Sequence, residues 1–383
     1  MMGKRTQTPG VKGSTLELLV SGGERIQSIP GLLFALLMLG IAMIATRITW
    51  PAVGLLWGFF LLDWSLMAGL PKLNISYGPA KPPTLLLAIL RAPFALFPSP
   101  WIWVLQFIGT LLVVYAFWIE PQRLVVTKQH LSTEKLDVST PIRILYFGDL
   151  HIERITKREQ KLIARARSLK SDLILFSGDI LSYSNVDDVI AQQEARVVLS
   201  QIAANHTVYA VAGSPPLDRK DVLGKIYDGI QITLLETTRV QLQIGGNRMT
   251  LTGLPCTHDP EYDGAELMKL PPVSKESFDI LLYHSPDLAP TAAELGYDLQ
   301  LSGHTHGGQV RLPLYGALYT SSLLGKRYEA GRYQVGEMTL YVTRGLGLEG
   351  KAAPRVRFLC PPEIVLWEIG GRNSRDLSTF LSR

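Results

Sequence analysis

The stretch Gly303-His304-Thr305-His306-Gly307-Gly308-Gln309 is the most informative part of this chain. It places two imidazoles at alternate positions between glycines, directly after a short apolar segment, 298–302, that predicts a buried strand. Glycines on both sides leave little reason for the two histidines to be packing residues. We therefore predict that His304 and His306 bind a metal ion at the end of a strand.

Three further polar motifs also follow predicted strands. Gly148-Asp149-Leu150-His151 comes after the segment 142–147, Ser177-Gly178-Asp179 after 172–176, and His284-Ser285-Pro286 after 278–283. An Asp and a His two positions apart on an extended chain face the same side, so both can reach one cation. Because α/β sheets place their sites at the carboxyl ends of strands, the motifs predict one shared site of six side chains: Asp149, His151, Asp179, His284, His304 and His306.

Each motif alone is a weak signal. His284 by itself is more typical of a capped core histidine, and Asp179 by itself of a turn residue at the end of a loop. Together the motifs supply two carboxylates and four imidazoles, a mixed set that suits Mn, Fe or Zn better than Ca. Two such ions about 3.5–4 Å apart, bridged by a carboxylate, are a common device for hydrolysing phosphate esters.

Composition narrows the class of protein further. The chain has 383 residues, which at roughly 150 per domain predicts two or three structural units. Hydrophobic residues make up 47% and charged residues 19%, a balance that excludes a disordered or fibrous protein. The net charge of +5 suits a membrane surface or an anionic substrate, and we expect no nucleic-acid partner because no dense basic run is interleaved with aromatics. Two cysteines, Cys256 and Cys360, exclude a disulfide scaffold, while a single bridge between them stays open.

Residues 29–120 are strongly apolar and predict a transmembrane region of about three spans. The segments 30–46, 50–70 and 101–119 approach or reach the roughly 20 residues that a membrane span needs. A shorter piece, 84–96, predicts an interfacial or re-entrant segment. With three spans the later domain would lie outside the cytoplasm, and with 84–96 as a fourth span it would lie inside. We expect Asp63, inside the second span, to be satisfied by a neighbouring helix rather than to be functional. Basic residues in the preceding tail favour a cytoplasmic N-terminus: Lys4, Arg5, Lys12 and Arg25.

The remaining chain predicts an α/β sandwich, two sheets flanked by helices, because strands alternate with helices early and strands dominate late. The predicted organisation is a tail over 1–28, the transmembrane region over 29–120, a linker over 121–141, the sandwich over 142–370 and a tail over 371–383.

The four motifs, in this order, resemble those of the calcineurin-like metallophosphoesterase superfamily, and more closely its bacterial membrane-linked branch. The resemblance extends over residues 120–369. It implies that Asp149, His151, Asp179 and His306 hold one divalent metal ion, and that Asp179 (bridging), His284 and His304 hold a second. It also implies catalytic roles for Asp149, Asp179 and His304.

One departure from the family pattern affects the expected activity. Where the family has Gly-Asn-His-Asp, this chain has Gly213-Ser214-Pro215-Pro216. The hydroxyl of Ser214 is a poorer ligand than the Asn side chain, so we expect a weakened second metal site. Pro215 cannot protonate a leaving group as the family's histidine does, a contribution usually worth roughly 10²–10⁴-fold. His258 is a conceivable substitute, although we expect it to be an exposed loop histidine.

We therefore expect a membrane-anchored phosphoesterase of the bacterial cytoplasmic membrane that hydrolyses a phosphodiester or pyrophosphate bond. Family relatives that cleave phospholipid headgroups or a lipid-linked pyrophosphate make a lipid-linked substrate the expectation. The first alternative is a non-catalytic membrane protein that binds metal or phosphate, suggested by Ser214 and Pro215. A channel or transporter with a regulatory domain is the second, supported only by Asp63 and Arg91. The side of the membrane, the metal and the oligomeric state stay open.

Overall fold

Two stacked six-stranded sheets form the part of the protein that follows the apolar region. The computed structural model describes residues 15–136, 141–348 and 354–371. The fourteen strands are β1 Val125–Ser132, β2 Ile142–Phe147, β3 Leu173–Phe176, β4 Val208–Ala210, β5 Ile232–Leu234, β6 Thr238–Ile244, β7 Asn247–Leu254, β8 Phe278–Tyr283, β9 Leu299–Ser302, β10 Arg311–Leu312, β11 Gly316–Ala317, β12 Gly331–Val335, β13 Met338–Val342 and β14 Glu363–Gly370.

The strand order is β1-β14-β2-β3-β4-β5 in the first sheet and β12-β13-β9-β8-β7-β6 in the second, while β10 and β11 form a separate hairpin. In the middle of both sheets the strands are parallel and buried on both faces, so they are near-continuous apolar runs, as in β3 and β8. The inner faces of the two sheets form one core, in which Ile144 and Leu175 of the first sheet join Ile280 and Leu301 of the second.

Ten α-helices complete the described structure: α1 Thr15–Ser28, α2 Gly31–Ala45, α3 Trp50–Gly69, α4 Lys81–Arg91, α5 Trp101–Val114, α6 Lys157–Ser168, α7 Val189–Ala203, α8 Lys220–Tyr227, α9 Pro260–Met268 and α10 Ala289–Glu294. Helices α6, α7 and α8 cover the outer face of the first sheet, and α9 and α10 cover that of the second. The predicted α/β sandwich with two sheets flanked by helices is thus confirmed.

The segment predicted as a linker, 121–141, contains a strand. β1 pairs in parallel with β14 along its whole length, from Val125 opposite Glu363 to Ser132 opposite Gly370. Its burial alternates and none of its residues is fully buried, because it is the edge of the sheet. An edge strand carries polar side chains such as Lys128 and Gln129, which hide it from a search for apolar runs. Residues 137–140, residues 1–14 of the predicted N-terminal tail (1–28) and residues 372–383 of the predicted C-terminal tail (371–383) lie outside the described residues.

Among the described residues, two helices are long and apolar enough to cross a membrane, Trp50–Leu73 and Trp101–Gln122. A third candidate exists only if Gly22–Ser28 and Gly31–Ala45, bent by 109° at the break between them, form one span. The interfacial piece predicted over 84–96 is α4 together with a short 3₁₀ helix, Ala92–Leu96.

Asp63 is buried between helices, as expected. It forms an ion pair with Arg91 of α4 and accepts a hydrogen bond from the Thr110 hydroxyl of α5 at 3.0 Å. The Gln106 side chain accepts a further hydrogen bond from Arg91 at 2.9 Å. The prediction that neighbouring helices satisfy Asp63 is confirmed, and the network joins three helices at one level.

The ends of α3 and α5 both face the sandwich. Just after α3, the Asn74 side chain donates to the Ile155 carbonyl at 2.9 Å. Beyond α5, Glu120 accepts hydrogen bonds from the N–H groups of Leu359 and Cys360. Because both helices run toward the sandwich, the intervening segment 81–100 returns to the far end of the helical region.

Candidate metal centre

All six predicted ligands lie together at the edge where the two sheets meet. They form two tight groups, each with its ligand atoms within 4.8 Å of one another: Asp149, His151 and His306 in the first, and Asp179, His284 and His304 in the second. Every one of them is buried. The first sheet contributes its ligands from the loops after β2 and β3, and the second sheet from the loops after β8 and β9.

The two groups adjoin. In the first, the Nε2 atoms of His151 and His306 are 2.9 Å apart. In the second, the Nε2 atom of His284 is 3.2 Å from Oδ2 of Asp179. Across the groups, His151 Nε2 is 3.7 Å from the same Asp179 oxygen, and His284 Nε2 is 4.0 Å from Oδ1 of Asp149. The two carboxylates therefore lie between the two sets of imidazoles.

Sharp backbone turns aim these side chains inward. Asp149, His151, Asp179, His304 and His306 all adopt positive φ, between 41° and 69°, which costs a non-glycine residue roughly 1–2 kcal/mol. Residues held in this region persist where the surrounding structure enforces them, and they concentrate at functional sites. The backbone of the motifs is thus shaped to point side chains into one space.

Glycine is required at Gly178 for close approach. Its φ is +90°, and a Cβ there would lie 2.3 Å from the Gly213 nitrogen. The loops after β3 and β4 therefore touch through backbone atoms, which brings Ser214 next to Asp179. The motif Ser177-Gly178-Asp179 therefore needs glycine for two reasons: the backbone turn and the close packing of the two loops.

Burial controls the charges of the centre. It raises the pKa of Asp149 to about 6, although the neighbouring His284 pulls that pKa down. Burial also acts upward on Asp179, but His284 together with His151 and His304 outweighs it and holds the pKa of that carboxyl well below its usual range. For His304 and His306, burial lowers the pKa well below its usual value. Both imidazoles are therefore neutral at pH 7, the form that ligates a metal ion.

The donor set fits a divalent metal ion. Oδ2 of Asp149 is fully buried and has no hydrogen-bond partner, a costly state for a carboxylate oxygen unless a cation satisfies it. His284 uses its Nδ1 to hydrogen-bond the Ser177 carbonyl at 2.8 Å, which leaves Nε2 directed at the centre, as in most metal-binding histidines. Four nitrogens and two carboxylates suit Mn, Fe or Zn.

The motif that differs from the family pattern, Gly213-Ser214-Pro215-Pro216, lies beside the second ligand group. The Ser214 hydroxyl donates to Oδ2 of Asp179 at 3.0 Å and lies 3.4 Å from Nε2 of His284. Ser214 is therefore positioned where a ligand could be, with a short neutral side chain. Pro215 is exposed and offers no proton donor.

His258 is not the exposed loop histidine that we expected. Its side chain is half-buried, and its ring centre lies 4.5 Å from that of His304 and 6.2 Å from that of His284. The loop after β7 turns back over the second ligand group, and the sequence gives no local sign of this return.

Sequence reasoning missed Asp218. Its carboxylate accepts hydrogen bonds from the N–H groups of Asp179 and Gly213, both at 2.7 Å, and of Ile180 at 3.1 Å. It thereby ties the loop of the second motif to the loop of the third. A buried Asp just after the altered motif was the available signal, but an isolated Asp in a loop is too common to be informative.

Two arginines that follow the motifs form ion pairs, and the two cysteines are free thiols. Arg311 pairs with Glu329 at 3.0 Å, and Arg344 pairs with Glu363. Cys256 and Cys360 are both buried and free, so the single bridge that the sequence left open is absent.

The two-sheet sandwich and its centre of carboxylates and imidazoles define a metal-dependent phosphoesterase. A family profile described as calcineurin-like phosphoesterase matches residues 142–308. An uncharacterized metallophosphoesterase of Bacillus subtilis, YkuE, is 30% identical over 269 residues, covering 68% of this chain and 90% of its own. Phosphodiesterase YaeI of Escherichia coli is 29% identical, with 67% and 92% covered.

The chain therefore belongs to the calcineurin-like phosphoesterase family, and it is a hydrolase that acts on phosphate esters. The predicted family and enzyme class are confirmed.

Proposed function

We propose that the chain is a membrane-anchored phosphodiesterase or pyrophosphatase that uses two divalent metal ions and acts on a lipid-linked substrate. One observation carries this proposal: the loops that hold His151 and His306 are attached to the ends of α3 and α5. The loop after His151 contacts Asn74 and Tyr77 through Ile155 and Glu153. A substrate held at the membrane would reach the metal centre without leaving the surface.

In this proposal the ligands divide as the family resemblance implies. Asp149, His151, Asp179 and His306 would hold one ion, and Asp179, His284 and His304 would hold the other. When bound, such ions polarise the phosphate ester and activate water. The catalytic residues are Asp149, Asp179 and His304, which contact the ions, while Pro215 leaves the departing group without the family's usual proton donor.

Exposed apolar side chains support the membrane anchor. On α2 and α3 the side chains of Ile44 and Trp50 are 82% and 66% exposed, and Trp101 and Phe107 of α5 are exposed as well. Apolar surface spread over several helices is costly in water and stable in lipid. Asp63 and Arg91, which are buried among these helices, satisfy each other, and Glu120, buried just beyond α5, accepts hydrogen bonds from two backbone N–H groups of the sandwich.

The orientation of the helices supports a cytoplasmic catalytic domain. Lys81 hydrogen-bonds the Gln27 and Ile29 carbonyls, so the start of α2 lies at the same end of the helical region as the start of α4. The ends of α3 and α5 also lie there, beside the sandwich. The chain thus makes an even number of passages between the start of α2 and the sandwich, so the basic residue Arg25, just before α2, lies on the same side as the metal centre.

Cysteine labelling in intact bacterial cells tests this orientation. Ile48→Cys, at the far end of the helical region, should react with an impermeant maleimide added outside. Lys72→Cys, at the end near the sandwich, should react only after lysis. The native cysteines are buried, so they provide a low background. Labelling of Lys72→Cys from outside would reverse the proposed side.

The hairpin of β10 and β11 supports a lipid-linked substrate. Leu314, Tyr315 and Leu318 are exposed on it, only a few residues beyond His306. Its base is joined to Phe358, whose ring packs against Tyr115 at the end of α5, with ring centres 6.0 Å apart. The base of the hairpin therefore lies beside the end of a proposed membrane helix, and the exposed apolar tip extends from that base.

Hydrolysis by the full chain in detergent tests the proposed activity. We expect Mn²⁺-dependent cleavage of bis-p-nitrophenyl phosphate that falls by roughly 100-fold or more in Asp179→Asn, because this carboxylate lies between both ligand groups. Asp228→Asn, an exposed change beyond α8, is the matched control and should leave the rate unchanged. Cleavage of a phospholipid or pyrophosphate-linked lipid should exceed cleavage of soluble nucleotides. Equal turnover in Asp179→Asn would contradict the proposed centre.

A non-catalytic metal- or phosphate-binding protein is the second candidate, favoured by the exposed Pro215 and the short Ser214. No turnover by the wild-type chain, combined with turnover by a Ser214→Asn, Pro215→His variant, would establish this candidate.

A further inference from the structure

His258 lies beside the second ligand group, yet none of the four motifs contains it. Its ring centre is 4.5 Å from that of His304 and 6.2 Å from that of His284, and those two are 5.0 Å apart. Three imidazoles therefore surround one buried space, although only two of them belong to the predicted ligand set.

These separations fit three imidazoles that share one ion. With metal–nitrogen bonds of about 2.0–2.1 Å, two imidazole rings on one ion have centres roughly 4.5 Å apart at a right angle and about 6.4 Å apart on opposite sides. All three measured separations fall in this range. The His258–His304 pair, with 36° between ring planes, also nearly matches the His151–His306 pair of the first group, at 4.6 Å and 35°.

The nitrogens of His258 are arranged as in a metal-binding histidine. Nδ1 lies 3.6 Å from Sγ of Cys256, which in turn lies 3.4 Å from the Tyr283 hydroxyl. The Tyr283 hydroxyl donates to Asp263 at 2.5 Å, so this side of the ring is held by a chain of buried groups. Nε2 is shut off from solvent and has no hydrogen-bond partner. One supported nitrogen and one unsatisfied nitrogen are typical of an imidazole that ligates a metal.

The backbone of His258 has the same conformation as the ligands. Its φ of 63° lies in the left-handed region, as do those of His304 and four other ligands. A histidine that served only to fill space would gain nothing from this costly conformation.

We propose that His258 is a ligand of the second metal ion and replaces the Asn ligand that Ser214 does not supply. The proposal rests on the proposed two-ion centre and adds a residue to it. The tight group of Asp179, His284 and His304 does not include His258, so the assignment adds a fourth ligand to that group. The second site then has three nitrogens and one carboxylate, a softer set than the family pattern gives.

Metal titration of the full chain in detergent tests the assignment. The protein is stripped with a chelator and titrated with Mn²⁺ or Co²⁺ alone, and the bound metal is counted by elemental analysis. We expect the wild-type chain to bind two ions, and His258→Ala to bind the second at least about tenfold more weakly with the first unchanged. In the Co²⁺ form, the visible spectrum should lose intensity from the second site only.

Two variants complete the design. His206→Ala, which changes a half-buried histidine between α7 and β4, is the matched control and should behave as wild type. Ser214→Asn added to His258→Ala should restore binding of the second ion and also guards against a folding defect. Unchanged binding of both ions in His258→Ala would overturn the assignment and leave the proposed function intact. A wild-type chain that binds no metal would overturn both.

Discussion

Asp218 governs the geometry of the metal centre without contributing a ligand. Its carboxylate holds three backbone N–H groups, including those of Asp179 and Gly213, in a fully buried position. Burial raises its pKa to about 6, and nearby Asp179 adds to the rise. Ligand loops of this kind keep their strained conformations only while such hydrogen bonds hold them.

Asp218→Asn should therefore damage both stability and activity. The amide oxygen can accept two of the three hydrogen bonds. The NH₂ group then faces the remaining backbone N–H, and because both are donors no hydrogen bond forms between them. Losing a buried charge-assisted hydrogen bond should cost about 2–3 kcal/mol. Thermal melting and bis-p-nitrophenyl phosphate hydrolysis, measured beside the exposed control Asp228→Asn, check this. If Asp218→Asn melts at the same temperature as the wild-type chain, the carboxylate does not hold the loops together.

Restoring the family's third motif should raise activity. Ser214→Asn with Pro215→His supplies an amide ligand and a proton donor, so we expect hydrolysis to increase by about 10²-fold or more. Pro216→His places an imidazole one residue further along the loop and should produce no such gain. A rate below wild type in the double variant would mean that the centre has adapted to the altered motif.

The clustering of the six predicted ligands could be anticipated because each lies in a short motif that follows a strand, as Asp179 follows β3. Asp218 and His258 could not. Asp218 acts on Asp179 from 39 positions away, and His258 reaches His304 only because the loop after β7 turns back. Such contacts depend on how loops from different strands meet, and no local pattern encodes that.

At the level of elements, a tight contact between two neighbouring loops of the first sheet brings Ser214 next to the ligand-bearing loop of Asp179. The loops after β3 and β4 approach through Gly178 and Gly213, where a side chain would overlap the backbone. The tip of the β6–β7 hairpin has glycines of similar conformation, but a Cβ at Gly245 would meet open space.

Gly178→Ala and Gly245→Ala therefore form a matched pair. Both place a Cβ at positive φ, at a cost of about 1–2 kcal/mol. Only Gly178→Ala adds overlap, so it should unfold at clearly lower temperature and bind metal more weakly, while Gly245→Ala keeps its metal. Equal losses in thermal melting would show that the contact between the loops is not tight.

The buried elements of the fold could also be predicted from the sequence. β8 begins and ends where the apolar run 278–283 does, and β2 covers the predicted 142–147. β1 was hidden in the predicted linker because its partner, β14, lies more than two hundred positions further along the chain. The residues of β1 itself are mostly polar and resemble those of an ordinary connecting loop.

At the scale of the whole molecule, the metal centre faces the helical region. The segment 357–360 contacts the end of α5 on one side and the loop of His306 on the other, where the Cys360 thiol donates to the His306 carbonyl at 3.2 Å. The exposed hairpin of β10 and β11 borders this arrangement.

Leu314→Glu should separate lipid substrates from soluble ones. A charge at the hairpin tip opposes contact with an apolar surface, so we expect about tenfold slower hydrolysis of a lipid substrate in vesicles. Hydrolysis of bis-p-nitrophenyl phosphate should not change. Val197→Glu, on the exposed face of α7, is the control. An equal fall in the hydrolysis rates of both substrates would show that the hairpin does not help to bring lipid substrates to the metal centre.

The position of β14 in the first sheet has a consequence for biogenesis. β14 lies between β1 and β2, so until residues 363–370 leave the ribosome β1 has no hydrogen-bonding neighbour and β2 has one only on its β3 side. In the proposed membrane-anchored form, the helices are made first and enter the membrane while the sandwich is still incomplete. Until then the nascent chain exposes unpaired strand edges, which invite aggregation. Because Asp149 and His151 follow β2, we expect metal loading only after the first sheet is complete, as a late, post-translational event.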